Sequence, residues 1–129
     1  MHARTCQILL LEDEPLILMD LEIAAEDAGC IPLCASNVTQ AMKLIGPDRH
    51  VDVAILDVSL KGNETCLPVA RALQQLGIPF LLHSGDLDRK DETVRELDAQ
   101  LIAKPASAER VIEAAMRLKR EPSHQSQTT

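Results

Sequence analysis

Short apolar runs alternate with amphipathic stretches along most of this chain. Cys6-Gln7-Ile8-Leu9-Leu10-Leu11 stops abruptly at Glu12, Asp13 and Glu14, the pattern of a buried strand that ends in a polar loop. Pro15 suits a first helical turn, and Ile17, Leu21, Ala24, Ala25 and Ala28 recur on one helical face before Gly29 ends it. A second run, Ile31 to Ala35, contains Pro32, which has no amide to donate to a central ladder and so belongs on a sheet edge. Asn37 is a helix cap for a segment with Val38, Ala41, Met42 and Ile45 on its apolar side, closed by Gly46-Pro47.

The third strand, Val51 to Leu56, leads directly into Asp57. Cys66, Val69, Ala70, Leu73 and Leu76 mark a third helix closed by Gly77, and Ile78 to His83 a fourth strand. From Asp86 to Gln100 the sequence is polar, with Val94 and Leu97 as its main apolar residues, which predicts a loosely packed helix. Leu101 to Ala103 is a brief fifth strand. Lys104-Pro105 follows, and Ser107 caps a last helix with Val111, Ala115 and Leu118 on one face. The domain is expected to span residues 1–120, with residues 121–129 a disordered polar tail.

Five strands alternating with five helices predict an α/β fold: a doubly wound, five-stranded parallel sheet with helices on both faces. Placing Pro32 on an edge agrees with the flavodoxin-like strand order 2-1-3-4-5. At 129 residues the chain is one domain, and it has no internal repeat. A net charge of −7 argues against nucleic acid and anionic membrane surfaces as partners. Phe80 is the only aromatic residue, so no ring-stacking site is expected. The N-terminus shows no signal-peptide pattern, which leads us to expect a cytoplasmic protein. Cys6, Cys30, Cys34 and Cys66 lack CxxC spacing and read as small buried hydrophobes.

In such a sheet, ligands bind beyond the carboxyl ends of the strands. There the order of elements gathers Glu12 and Asp13 after strand 1, Asp57 after strand 3, Ser84 after strand 4 and Lys104 after strand 5. Two unit charges 4 Å apart interact by about 4 kcal/mol at an effective dielectric near 20, so three converging carboxylates call for a cation. Mg²⁺ takes one or two carboxylates together with water and a phosphate oxygen. Asp13 and Asp57 are the expected direct ligands, with Glu12 acting through water. An Asp carboxylate can also accept a phosphoryl group, with Lys104 and the Ser84 hydroxyl covering its oxygens and Gly85 leaving room for it. His83, inside an apolar strand, reads as a core residue.

The segments Leu10-Leu11-Glu12-Asp13-Glu14-Pro15, Ile55-Leu56-Asp57-Val58, Leu82-His83-Ser84-Gly85 and Lys104-Pro105 together resemble the signature of response-regulator receiver domains of two-component systems. The resemblance covers about Cys6 to Arg120. It implies that Asp57 is the phosphoacceptor, that Glu12 and Asp13 form the acidic pocket, that Lys104 contacts the phosphoryl group and that Ser84 is a switch hydroxyl. It further implies a third protein ligand to Mg²⁺ from the Ser59 carbonyl and a cis Lys104-Pro105 bond. The expected protein is a signalling switch, not an enzyme, that assists its own phosphorylation and dephosphorylation. A histidine kinase is its phosphoryl donor, and a downstream protein is a further partner. Glu12 to Ile17 with Asp27-Ala28-Gly29-Cys30 also resembles single-domain regulators that accompany HWE-type kinases, and no output domain is expected after Arg120. The chain departs from the family at Leu101, where Tyr or Phe is common, and at Ala106, where Phe is frequent. A degenerate receiver that only docks, without taking phosphate, is the alternative.

Overall fold

The structure, a computed structural model, describes residues 5–85 and 96–120, the side chain of Arg120 excepted. Strands β1 (Cys6–Leu11), β2 (Cys30–Ala35), β3 (Val53–Asp57), β4 (Phe80–Ser84) and β5 (Leu101–Ala103) form one parallel sheet in the order β2-β1-β3-β4-β5. This is the expected doubly wound order, and the strand containing Pro32 is at an edge. The predicted helix between Asp86 and Gln100 falls mostly on residues 86–95, outside the described residues, as does the predicted tail, 121–129.

Alternation along the strands divides the core between two faces. Ile8, Leu10, Val53, Ile55, Leu81 and Ile102 pack beneath α1 (Pro15–Asp27) and the last helix (Ala108–Arg120). On the opposite face, Leu9, Leu11, Ala54, Leu56 and Leu82 pack beneath α2 (Val38–Lys43) and α3 (Leu67–Leu76). The central strand β3 is buried along its whole length, so its last residue, Asp57, emerges from the middle of the sheet.

The helix ends follow the predicted chemistry. Pro15 is at the first turn of α1, and the Ser107 hydroxyl accepts from the Arg110 amide at 3.1 Å. Gly77 ends α3 with φ +71°, a left-handed conformation that costs glycine little. Asn37 accepts from the Gln40 amide at 2.8 Å. Asn37→Ala should therefore lower unfolding stability by about 1 kcal/mol. A urea midpoint shift with unchanged slope is the check.

Three positions expected on apolar helix faces are exposed instead. Ala28 has already left α1 and caps it. Helix α2 has only six residues, fewer than two turns, so Ala41 is buried while its neighbour Met42 faces out. Leu76 is the last residue of α3, where the chain turns back at Gly77, and the core contact passes to Leu73. Strand β3 begins at Val53 rather than Val51, because Asp52 is drawn into a hydrogen bond from the Gln7 amide to its carboxylate. All four cysteines are free thiols. Burial, the largest cause, pushes the Cys66 thiol up to about 12, as expected of a small hydrophobe in a core.

Candidate functional site

The residues predicted to meet at one rim do so. A depression of about 340 Å³ at the carboxyl end of the sheet is lined by Asp13, Asp57, Ser59, Ser84 and Lys104. Asp57 and Ser84 are the last residues of β3 and β4, and Lys104 is the first after β5. The Lys104 amide donates to the Ser84 carbonyl at 2.9 Å, which extends the ladder to the rim, and the Lys104-Pro105 bond is cis, as the family resemblance implied. Gly85 lies against the Lys104 side chain, and a Cβ added there would stand 3.5 Å from Lys104 Cβ.

One ammonium serves two buried carboxylates. Lys104 Nζ is 3.2 Å from Asp57 Oδ2 and 3.0 Å from Glu12 Oε1, and it donates to Glu12 Oε2 at 3.2 Å. Glu12 is 1% exposed and Asp57 4%. Glu12 still belongs to the β1 ladder, its amide donating to the Ala35 carbonyl at 3.0 Å, so its side chain is buried as a strand residue's is. It stands behind the depression rather than lining it. Asp13 is the first residue of the loop free to turn outward. Its Oδ2 accepts from the Lys61 amide at 2.6 Å. The Ser59 amide donates to Asp57 Oδ1 at 3.3 Å.

Burial pushes the Asp57 carboxyl up to about 7, and the nearby Glu12 carboxylate adds to the rise, with Lys104 only partly offsetting it. For Lys104, burial acts to lower the pKa, but the Asp57 and Glu12 carboxylates outweigh it and the value is raised, so the ammonium is firmly charged. Oxygens of Glu12, Asp13 and Asp57 all lie within 4.8 Å of one another. Three carboxylates against one ammonium leave the site short of positive charge. An all-oxygen donor set of this kind fits a hard divalent cation such as Mg²⁺.

Lys61 has a role at the site that its residue type does not announce. Its amide fixes Asp13 from a loop in which Gly62 and Asn63 adopt left-handed conformations, with φ +71° and +65°. A backbone donor has no residue-type signature, and only the Gly-Asn pair hinted at a tight turn. Leu101 is partly buried against the α2/α3 core.

No family model matches the chain. Among curated proteins, the Phyllosphere-induced regulator PhyR of Methylorubrum extorquens is 31% identical over 101 residues, 77% of this chain. The match spans 38% of that relative's length. The solution structure of SdrG from Sphingomonas melonis Fr1 is 35% identical, with a TM-score of 0.74 over 92% of this chain and 98% of that one. The response regulator receiver protein of Sinorhizobium medicae WSM419, 23% identical, shares the fold with a TM-score of 0.79 over 90% of this chain and 95% of its own. The chain belongs to the response-regulator receiver domains, a family of two-component signalling. Among the described residues no helix is long and apolar enough to cross a membrane.

Proposed function

We propose that this domain is a phosphorylation-dependent switch that takes a phosphoryl group from a histidine kinase onto Asp57. It acts as a phosphoacceptor, without turnover of an outside substrate. The observation that carries this reading is the Asp57 carboxylate, buried at the end of the central strand, opening onto the depression and held 3.2 Å from Lys104 Nζ. In the transfer, an Asp57 oxygen attacks phosphorus and forms the P–O bond. The P–N bond to the donor imidazole breaks, and its electron pair stays on that nitrogen. Lys104 neutralises charge on the transferred group, and the Ser84 hydroxyl with backbone amides of the loop after β3 would contact its oxygens.

Asp13 and Asp57 would hold Mg²⁺, with the Ser59 carbonyl as a third protein ligand and Glu12 contributing charge from behind. When bound, Mg²⁺ supplies positive charge to a phosphoryl oxygen and to the Asp57 carboxylate. With a pKa near 7, Asp57 carries a proton in part of the metal-free population at neutral pH, and only the carboxylate form can attack. Metal binding is therefore expected to release a proton. The cytoplasm, where histidine kinases present their phosphorylated residue, is the expected compartment.

Incubation with acetyl phosphate and Mg²⁺, followed by intact mass, tests the reading. One adduct of about 80 Da is expected, absent in Asp57→Asn and absent in EDTA. Full labelling of that variant would disprove the acceptor assignment. An unlabelled wild type would favour a receiver that only docks. For the metal, Asp13→Ala should lose most of the rise in melting temperature that millimolar Mg²⁺ gives the wild type by mass action. A rise equal to wild type would remove Asp13 from the ligand set.

A further inference from the structure

On the other side of Lys104, away from the acidic depression, lies a second cavity of about 160 Å³. Ile17 and Leu21 of α1 form one wall, and Pro105, Ala106 and Ala108, leading into the last helix, form another. Its floor includes His83, which is 3% exposed. Among the described residues neither His83 ring nitrogen has a hydrogen-bond partner. Burial, and secondarily the charge of Lys104, push this imidazole down to about 4, so it is neutral at pH 7, with one nitrogen a donor and the other an acceptor.

Two observations thus coincide. Small side chains at 106 and 108 leave a space between α1 and the last helix, and a polar ring buried against that space has no partner in the protein. A buried unpaired donor or acceptor is costly, and a group reaching it would recover that cost. Ile17, Leu21, Pro105, Ala106 and Ala108 give the space an aliphatic wall that water does not satisfy, with polar groups only at His83, Lys104 and Asp20. Its volume is close to the roughly 150 Å³ at which a sealed, wholly apolar cavity holds one benzene ring, and here three polar residues join the lining.

We infer that this cavity is a binding site for a small, neutral, planar molecule of phenol size, whose ring packs against Ile17, Leu21 and Ala106 and whose single polar group hydrogen-bonds His83. Neutrality follows from the surroundings. The Lys104 ammonium is committed to Glu12 and Asp57, exposed Asp20 at the edge repels anions, and a buried unpaired charge is costly.

The full chain has four histidines, so its ring resonances are few enough to follow one by one while phenol is added. A saturable shift of the His83 resonances is expected, with a Kd of about 1 mM or tighter. Benzene, which fills the space without a polar group, should bind about tenfold more weakly. Ala106→Phe should fill the cavity and abolish the phenol shift while keeping a folded spectrum and the acetyl phosphate adduct. Should that variant not fold, His83→Leu gives a second route: phenol should fall to the affinity of benzene. A shift that stays linear to about 20 mM, equal affinities of phenol and benzene for the wild type, or saturable phenol binding retained in a folded Ala106→Phe would each overturn the inference.

Discussion

Lys104→Gln should lower the stability of the metal-free domain at pH 8 by about 2–4 kcal/mol, one of the largest losses any single substitution at the rim can cause. The ammonium is within 3.2 Å of both the Glu12 and Asp57 carboxylates, and no other cationic side chain among the described residues pairs with either. Removing one partner of a buried ion pair leaves uncompensated charge, which ordinarily costs about 3–5 kcal/mol. The Lys104 side chain is 17% exposed, and solvent screening places the expected loss toward the lower end.

The deficit should also depend on pH and on metal. Without Lys104, burial and Glu12 act on Asp57 unopposed, so its carboxyl rises further and is neutral in the folded variant at pH 5. There the loss should shrink, because Asp57 no longer carries a charge for Lys104 to pair with. Mg²⁺ brings back positive charge, so the stabilisation it gives should be at least as large in the variant as in the wild type. Acetyl phosphate labelling should still slow by about 100-fold, since a stabiliser of the transferred group has gone. Urea unfolding at pH 5 and pH 8, with and without Mg²⁺, measures all but the last effect. Equal stability of variant and wild type at pH 8 without metal would show that the Lys104 contacts do not carry the site's charge balance.

Much of this site was legible because strand ends are legible. Each strand is an apolar run, and the first polar residues after it, Glu12, Asp13, Asp57, Ser84 and Lys104, are delivered to the rim by the parallel topology. Pro32 marked an edge strand through its missing amide, in agreement with the strand order 2-1-3-4-5. What was illegible depends on contacts that no residue type announces. Lys61 reaches Asp13 through its backbone, and Glu12 is buried because the ladder runs one residue past the apolar run. The cavity beside His83 depends on the small Ala106 and Ala108 meeting larger side chains of α1 and β4, which periodicity within one element does not reveal. Helix faces failed where an element was short or ending, at Met42, Leu76 and Ala28, because an apolar residue in a terminal turn has lost the sheet beneath it.

Between about pH 4 and pH 6.5 the stability of the metal-free wild type should be nearly flat, because two buried groups pull in opposite directions. Asp57 is raised from 3.8 to about 7 in the folded protein. Across that interval the folded state binds the extra proton, so this group makes stability fall as pH rises from about 4 to about 7. His83 is lowered from 6.5 to about 4, so there the unfolded state binds the extra proton and stability falls as pH drops below about 6.5. One proton of difference is worth about 1.4 kcal/mol per pH unit, and in the shared window the two slopes cancel. Single substitutions should uncover each slope. Asp57→Asn leaves His83 alone, and stability should drop by about 3 kcal/mol on acidification from pH 6.5 to pH 4. His83→Leu leaves Asp57 alone, and stability should instead rise by a similar amount over the same interval. At pH 8, Asp57→Asn should be more stable than the wild type by about 2–4 kcal/mol in EDTA, since it removes a carboxylate ionised there at a cost. Mg²⁺ should narrow that gap by binding the wild type alone. Urea unfolding across pH 4 to 8 in EDTA decides the matter: parallel curves for the wild type and both variants would show that neither burial controls the pH response.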